Sequence, residues 1–335
     1  MQRRRAPWYS PACDARLWTA GLLAAALALA PVLPARAADP YPSKTVRLVV
    51  GFAAGGPTDI PARFIADKLS NLLGRRVVVE NKTGAGGMLA TRDVLAQEAD
   101  GHNLLLCTHF ESINVVMYKN PGFALRDLAP VSLVSKYFYG LTLSPAIPAD
   151  SFEEFLRYAK ANPEAVSYAT IGSGSAQEIL ARQLEALAGI KMTKIPFRSG
   201  TQVVQDMLAG RVHFYVAPTL AVLPYYEAKQ LKVLAVTSPE RLANAPQVPA
   251  LKEKGLEFVR FGWLGICAPA GTPKPVVDLL QKHIAAIVAT PEYRTLIENG
   301  GSIPGSSTPE ELRKVMVQTM DDVAASIREF GMQQE

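Results

Sequence analysis

Short runs of β-branched and aliphatic residues alternate along most of this chain with longer stretches in which apolar positions return every three or four residues. The runs at 45–52, 76–80, 103–108, 166–171, 193–197, 212–216, 231–237 and 264–268 predict strands. Between the first two, Ile60, Phe64, Ile65, Leu69 and Leu72 share one helical face, and Gly74 stands where a left-handed residue ends a helix. Ser151 with Glu154, and Thr308 with Pro309 and Glu311, are start signals for two further helices. Such alternation predicts an α/β fold in which mostly parallel sheets are covered by helices. No internal repeat or low-complexity tract interrupts it.

Glycine and serine gather in the turns that leave these strands. "AAGGPTD" follows the first, "NKTGAGG" the second, "GSGSAQ" the run near Ile171 and "RSGTQ" the run ending at Phe197. Each turn opens a helix. A strand that feeds a glycine turn into a helix aims backbone N–H groups and the positive helix end at one point, which favours an anion there. In open α/β sheets the ligand crevice lies outside the carboxyl ends of the strands, where such turns collect. Four of them in one chain predict a ligand site built largely from main chain.

The first 37 residues read as an export signal instead of as part of the fold. Arg3, Arg4, Arg5 and Arg16 precede the apolar run "LWTAGLLAAALALAPVLPA", and "ARA" supplies small residues at a cleavage site after Ala37. Pro31 and Pro34 interrupt that run, and it is short for a membrane anchor. The expected location is the periplasm. The segment also carries Arg36 and one acid, Asp14, so 30 basic and 29 acidic residues remain beyond it, and the formal +5 of the whole chain falls to about +1. That leaves no electrostatic footprint for nucleic acid. With 49% hydrophobic and 19% charged residues in 335, the composition is that of a globular chain with room for two domains. Cys107 and Cys267 are the cysteines that remain after residue 37; one bridge in an oxidising compartment and two separately buried thiols are both open readings.

A phosphate ligand is disfavoured. "VVVENKTGAGGMLATRDVL" resembles a dinucleotide fingerprint, but Leu89 occupies the place of its third glycine, and no G-x-x-x-x-G-K-[ST] occurs. Catalytic patterns are equally thin: G-x-S-x-G is absent, "GSGS" has no matched base, and the H-x-E of His109 and Glu111 lacks the P-C-x-x-C of the zinc deaminases. No metal, no cofactor and no enzyme activity are expected. His102, His213 and His283 suit structural roles. His109, at a strand end, either lines the site or is a satisfied buried side chain.

A small organic anion remains. Hydroxyls of Thr58, Thr108, Ser173, Ser175, Ser199 and Thr201, with backbone N–H groups, suit a carboxylate without a lysine clamp. Arg198 is either a bidentate partner for a second carboxylate or a surface ion pair. Phe52, Phe110 and Phe197 are either an apolar wall or core.

The run "VRLVVGFAAGGPTDIPARFIADKLSNLLGRRVVVENKTGAGG" resembles the opening of the Bug family, the periplasmic solute receptors of tripartite tricarboxylate transporters. "LAPVSLV", "YAKANPEAVSYATIGSGSAQ", "IPFRSGTQVVQDMLAGRV", "LKVLAVTSPER" and "APAGTPKPVVDLL" continue the resemblance in order over nearly the whole chain after residue 37. It implies a two-domain periplasmic-binding-protein (Venus flytrap) fold: residues 38–143 with 262–335 as domain 1, residues 144–261 as domain 2, and two crossover segments. It also implies that the first two turns, with Phe52, Ala54, Gly55, Gly56 and Thr58 and with Gly84, Gly86 and Gly87, grip a ligand carboxylate. Gly172, Ser173, Gly174, Ser175 and Gln177, then Arg198, Ser199, Gly200 and Thr201, would close the other side. Thr108 and His109 join the site as strand-end residues.

The chain departs from the family pattern at Ala54, where proline is usual, and at Glu178, near a common histidine. It departs again at Ala217 and Pro218, where an acid and an amide are common. An ammonium would lack its natural partner at Ala217, so the expected ligand is a dicarboxylate, a tricarboxylate or an aromatic acid without an amine. Asp59 is expected to cap the helix that follows it. Membrane transporter subunits or a sensor kinase are the expected partners of a monomeric receptor; a serine hydrolase using Ser173 or Ser175 is the rival reading.

Overall fold

The first half of the fold is a sheet grown outward from its first strand. The structure, a computed structural model, describes residues 41–172 and 175–329 together with residues 331 and 334; the export signal expected over residues 1–37, and Ser173 and Gly174, lie outside them. β1 (Val46–Val50) is buried on both faces, with Val46, Leu48, Val49 and Val50 all at 1% exposure or less, so each contributes roughly 1.5–3 kcal/mol of burial. It leads through residues 51–58 into α1 (Asp59–Leu73), which Gly74 ends at φ 64. β2 (Val77–Asn81), the tight helical turn Ala85–Gly87, α2 (Met88–Leu95), β3 (Asn103–Thr108) and α3 (His109–Met117) follow. β2 and β3 pair with β1 in parallel, one on each side, with Val46 opposite Val77 and Arg47 opposite Asn103.

β4 (Leu128–Leu143) then crosses the molecule, and the pattern repeats. α4 (Phe152–Ala161), β5 (Ser167–Thr170), α5 (Ala176–Ala188), β6 (Thr193–Pro196), α6 (Gly200–Leu208) and β7 (Phe214–Pro218) place β6 and β7 on the two sides of β5, again in parallel. α7 (Thr219–Glu227) and β8 (Lys232–Val236) close this half. β9 (Phe261–Pro269) returns to the first half, followed by α8 (Lys274–Val288), α9 (Pro291–Glu298), β10 (Ser302–Pro304) and α10 (Pro309–Glu329). The resulting order is β2-β1-β3-β9-β4-β7-β5-β6, with β8 and β10 also paired to β4.

The α/β class expected from the sequence is present, but the sheet is mixed. Parallel strands occupy both flanks, while β9 is antiparallel to β3 and β4, and β4 is antiparallel to β7, β8 and β10. The reason is β4, which no run in the pattern predicted. Bulges against β9 between Pro130 and Ser132 and between Leu133 and Ser135 break its two-residue alternation, and Pro130 is tolerated because it sits at one of them. The β4 segment up to Phe138 pairs with β9, and the segment from Tyr139 pairs with β7, so one strand belongs to both halves.

One smaller expectation is corrected and one open reading is decided. On α1 the buried face is Pro61, Ala62, Ile65, Ala66 and Leu69, while Ile60 and Leu72 are 39% and 48% exposed; the small residues let α1 settle onto β2 and α8. Cys107 and Cys267, left open above, are bonded, with Cα atoms 5.8 Å apart on the neighbouring strands β3 and β9. No helix among the described residues is long and apolar enough to cross a membrane.

Candidate functional site

The strand order reverses at β1 in one half and at β5 in the other, and the four glycine turns leave the carboxyl ends of β1, β2, β5 and β6. Ligand crevices of open α/β sheets form at such reversals. The first two turns are held against each other. A Cβ on Gly51 would lie 2.8 Å from the Cα of Gly87, so glycine alone permits this backbone approach. A Cβ on Gly87 would lie 3.6 Å from the Phe52 ring, which packs on Phe110 with centroids 5.2 Å apart.

Asparagines fix both turns from behind. The Asn81 amide, at the end of β2, donates to Phe52 O (3.0 Å) and to Asp59 Oδ1 (2.8 Å). Asp59 is buried and also accepts from the Gly55 N–H (2.8 Å) and from Arg63 (2.8 Å). Burial pushes its carboxyl up, but those three hydrogen bonds outweigh burial and hold it below the usual range. The capping role expected of Asp59 is therefore corrected: Thr58 occupies the cap position without a side-chain cap, and Asp59 ties the turn to β2. In the second turn, Gly84, Ala85, Gly86 and Gly87 have φ of 137, 47, 59 and 91°, a succession that a glycine-rich sequence can sustain. The Asn114 amide donates to Gly86 O at 3.0 Å. Positive φ falls on Gly55 rather than Gly56; Gly56 is instead confined by Ala53 O, 3.1 Å from its would-be Cβ.

The β3 end feeds α3 through a full capping box. The Thr108 hydroxyl accepts from the Phe110 N–H (3.0 Å), and Glu111 Oε2 accepts from the Thr108 N–H (2.6 Å) and hydroxyl (3.1 Å). Thr108 thus spends its hydroxyl inside the protein. His109 is likewise buried, its Nδ1 3.2 Å from the Tyr137 hydroxyl and its Nε2 3.2 Å from that of Tyr139. Both ring nitrogens of His109 are thus spent on tyrosines. Burial lowers its pKa to about 3. Gly262 makes room for this cluster, because a Cβ there would lie 2.3 Å from the Tyr137 ring.

In the other half, Ser175 and Ser199 cap α5 and α6, accepting from Glu178 N (3.4 Å) and Gln202 N (3.3 Å). The Phe197 N–H donates to Thr170 O (2.8 Å), which joins these two turns; a Cβ on Gly200 would lie 3.3 Å from the Tyr215 hydroxyl. Gly172 has φ 112. Arg198 and Thr201 are exposed, and Arg198 forms no ion pair among the described residues. Glu178 is buried between Lys194 (2.9 Å) and Arg182 (3.4 Å), and Ala217 is fully buried. Thr58 Oγ1, Ser112 Oγ, Thr170 Oγ1 and Gln177 Oε1 are buried polar atoms without a hydrogen-bond partner among the described residues, and all four lie at strand ends or first helical turns of this region. Thr58 and Pro57 face Pro218 and Leu220 across a cavity of about 20 Å³, bounded also by Ser135 and Tyr137, so the first turn meets the end of β7 there.

Asn81, Thr91, Glu111 and Asn114 were missed in the sequence. Glu111 carried a signal: T-x-x-E, the capping box starting at Thr108, overlaps the H-x-E pair with His109. The asparagines carried none, since their partners lie more than twenty residues away in the chain.

Known proteins are similar to this chain in sequence and fold. Residues 61–332 match the profile described as "Tripartite tricarboxylate transporter family receptor". The solved structure of the periplasmic binding protein BugD is 32% identical, covers 88% of this chain and all of its own, and superposes with a TM-score of 0.83. A Rhodopseudomonas palustris protein solved with adipate is 26% identical over 87% of this chain and 98% of its own, with a TM-score of 0.84. MatC of Rhodopseudomonas palustris, solved with bound malate, is 26% identical over 86% of this chain and all of its own, with a TM-score of 0.81.

Proposed function

The chain belongs to the tripartite tricarboxylate transporter receptor family, and from that premise we propose that it is an exported, non-enzymatic receptor for a small amine-free carboxylate. The ligand is held between two lobes, residues 38–143 with 262–335 and residues 144–261, whose closure it drives by contacting both. The observation that carries this reading is the pair of glycine turns at the β1 reversal, locked backbone to backbone at Gly51 and Gly87, whose neighbouring cations are already paired, Lys82 with Asp93 and Arg63 with Asp59. Such a site meets an anion with main chain and helix ends. The adipate and malate held by two relatives are anions of this kind.

The absence of an amine follows from where the carboxylates are. Asp59 is engaged by Arg63 and Asn81, Glu111 by Thr91 and Thr108, and Glu178 by Lys194 and Arg182, while Ala217 presents no charge. A buried ammonium would find each of these three carboxylates already engaged. Delivery to membrane transporter subunits is the role that fits the family.

A thermal-shift screen tests this on protein unfolded and refolded to strip carried-over ligand. An amine-free dicarboxylate, tricarboxylate or aromatic acid at about 100 times its Kd should add about 2.7 kcal/mol, a shift of several degrees. Shifts with amino acids alone would overturn the ligand class. Ester hydrolysis that disappears in Ser175→Ala, with no acid shifting the melt, would overturn the receptor reading.

A further inference from the structure

Behind the second turn Glu111, Thr91 and the Gly87 carbonyl lie in one line of hydrogen bonds. Glu111 Oε1 accepts from the Thr91 hydroxyl at 3.0 Å, and the same hydroxyl lies 3.4 Å from the carbonyl of Gly87, the last residue of the turn. Glu111 is 2% exposed, and a Cβ on Gly87 would stand 3.8 Å from its Oε1. Thr91 has one proton for two acceptors. While Glu111 is ionised, the charge-assisted bond to Oε1 takes that proton. Once Oε1 is protonated it becomes the donor to Thr91, and the Thr91 proton is released to the Gly87 carbonyl.

We infer that Glu111 is a positioning residue of the carboxylate site, acting through Thr91 on the Gly87 carbonyl so that proton uptake by Glu111 favours an anion in the second turn. The inference rests on the site proposed above. Two effects favour the anion: a negative charge is removed from directly behind the turn, and Gly87 gains a hydrogen bond that steadies it.

The surroundings leave Glu111 to titrate by itself. Burial pushes it up to about 7, opposed by hydrogen bonds from Thr108 and Thr91, with no charged neighbour among these influences. His109, on the same helix, is neutral and bound to Tyr137 and Tyr139. On α2, Arg92 is spent on the carbonyls of Asn120 and Pro121, and Asp93 on Arg47 and Lys82. Phe52 of the first turn is uncharged, Cys107 of β3 is in the disulfide, and the packed face of α10 adds no charge to those influences.

The test begins without ligand. In the full-length protein labelled with 15N-glycine, the Gly87 amide should titrate with a midpoint near pH 7, and that titration should vanish in Glu111→Gln and in Thr91→Val. A Gly87 amide that does not titrate, or titrates alike in Glu111→Gln, overturns the relay. Malate and adipate are then the probes for calorimetry at pH 6 and pH 8. An anion that raises the Glu111 pKa by about one unit weakens in affinity about fivefold between pH 6 and pH 8. Glu111→Gln should bind with a pH-independent Kd. Equal pH dependence in wild type and Glu111→Gln overturns the link to the site. Failure of every organic acid to bind at either pH would instead overturn the receptor reading, and the relay is then judged by the Gly87 titration alone.

Discussion

Gly51 and Gly87 touch backbone to backbone across the first two turns, so closely that a Cβ on Gly51 would sit 2.8 Å from the Gly87 Cα and 3.3 Å from its carbonyl oxygen. Neither atom belongs to a flexible side chain that could move aside. Gly51→Ala should therefore cost about 1–3 kcal/mol and spread the turns, with ligand affinity falling at least tenfold by calorimetry. Gly189→Ala is the control: Gly189 ends α5 at φ 63 with open space around it, so it should lose about 1–2 kcal/mol and keep its Kd. A Gly51→Ala protein with wild-type affinity would separate the turns from the site.

Asn114 holds the left-handed Gly86 through one hydrogen bond of 3.0 Å. Asn114→Ala should leave that carbonyl short of a partner, lower stability by about 1–3 kcal/mol and weaken binding, because the turn loses its fixed conformation. Gly86→Val should abolish binding outright, since valine at φ 59 is strained and its Cβ would meet the Asn114 amide at 3.4 Å. Thermal melts and calorimetry on the same samples separate the two losses.

His109 and Glu111, two residues apart, pull the pH dependence of stability in opposite directions. Burial lowers His109 from 6.5 to about 3, so its contribution is complete above pH 6.5 and is lost as pH falls through 3. Burial raises Glu111 from 4.5 to about 7, so its contribution is complete below pH 4.5 and is lost as pH rises through 7. Between pH 4.5 and 6.5 the slopes oppose each other. Melting temperatures should then rise with pH in Glu111→Gln and fall with pH in His109→Gln, with wild type the flatter of the three. Parallel curves for both variants would contradict this.

The Cys107–Cys267 bond closes a separation of 160 residues and joins β3 to β9 immediately before the Thr108 cap. Replacing both cysteines with alanine should lower stability by about 2–5 kcal/mol, read as a lower denaturant midpoint with a steeper slope, because the unfolded chain is released from the loop. Wild type under strong reductant should move toward the same midpoint.

What the sequence determined by itself was local. The four glycine turns, the helices they open, the Gly74 stop, the Thr308 cap and most strands could be read from residues within one or two turns of one another, because positive φ, capping and hydrophobic period act at that range. Tertiary structure alone decided what depends on partners far along the chain. β4 was invisible because bulges break its alternation and because it serves two sheet halves. α3 showed in the sequence only the Thr108 capping box, because it is buried nearly all round and has no amphipathic stripe. The bond between Cys107 and Cys267, the pairing of His109 with Tyr137 and Tyr139, and the grip of Asn114 on the second turn follow from β9 and β4 returning beside β3 and from α3 lying behind that turn, while the grip of Asn81 on the first turn follows from β2 pairing with β1. Those are choices of strand order, and strand order is fixed by which buried surfaces fit together, a property no stretch of residues carries alone.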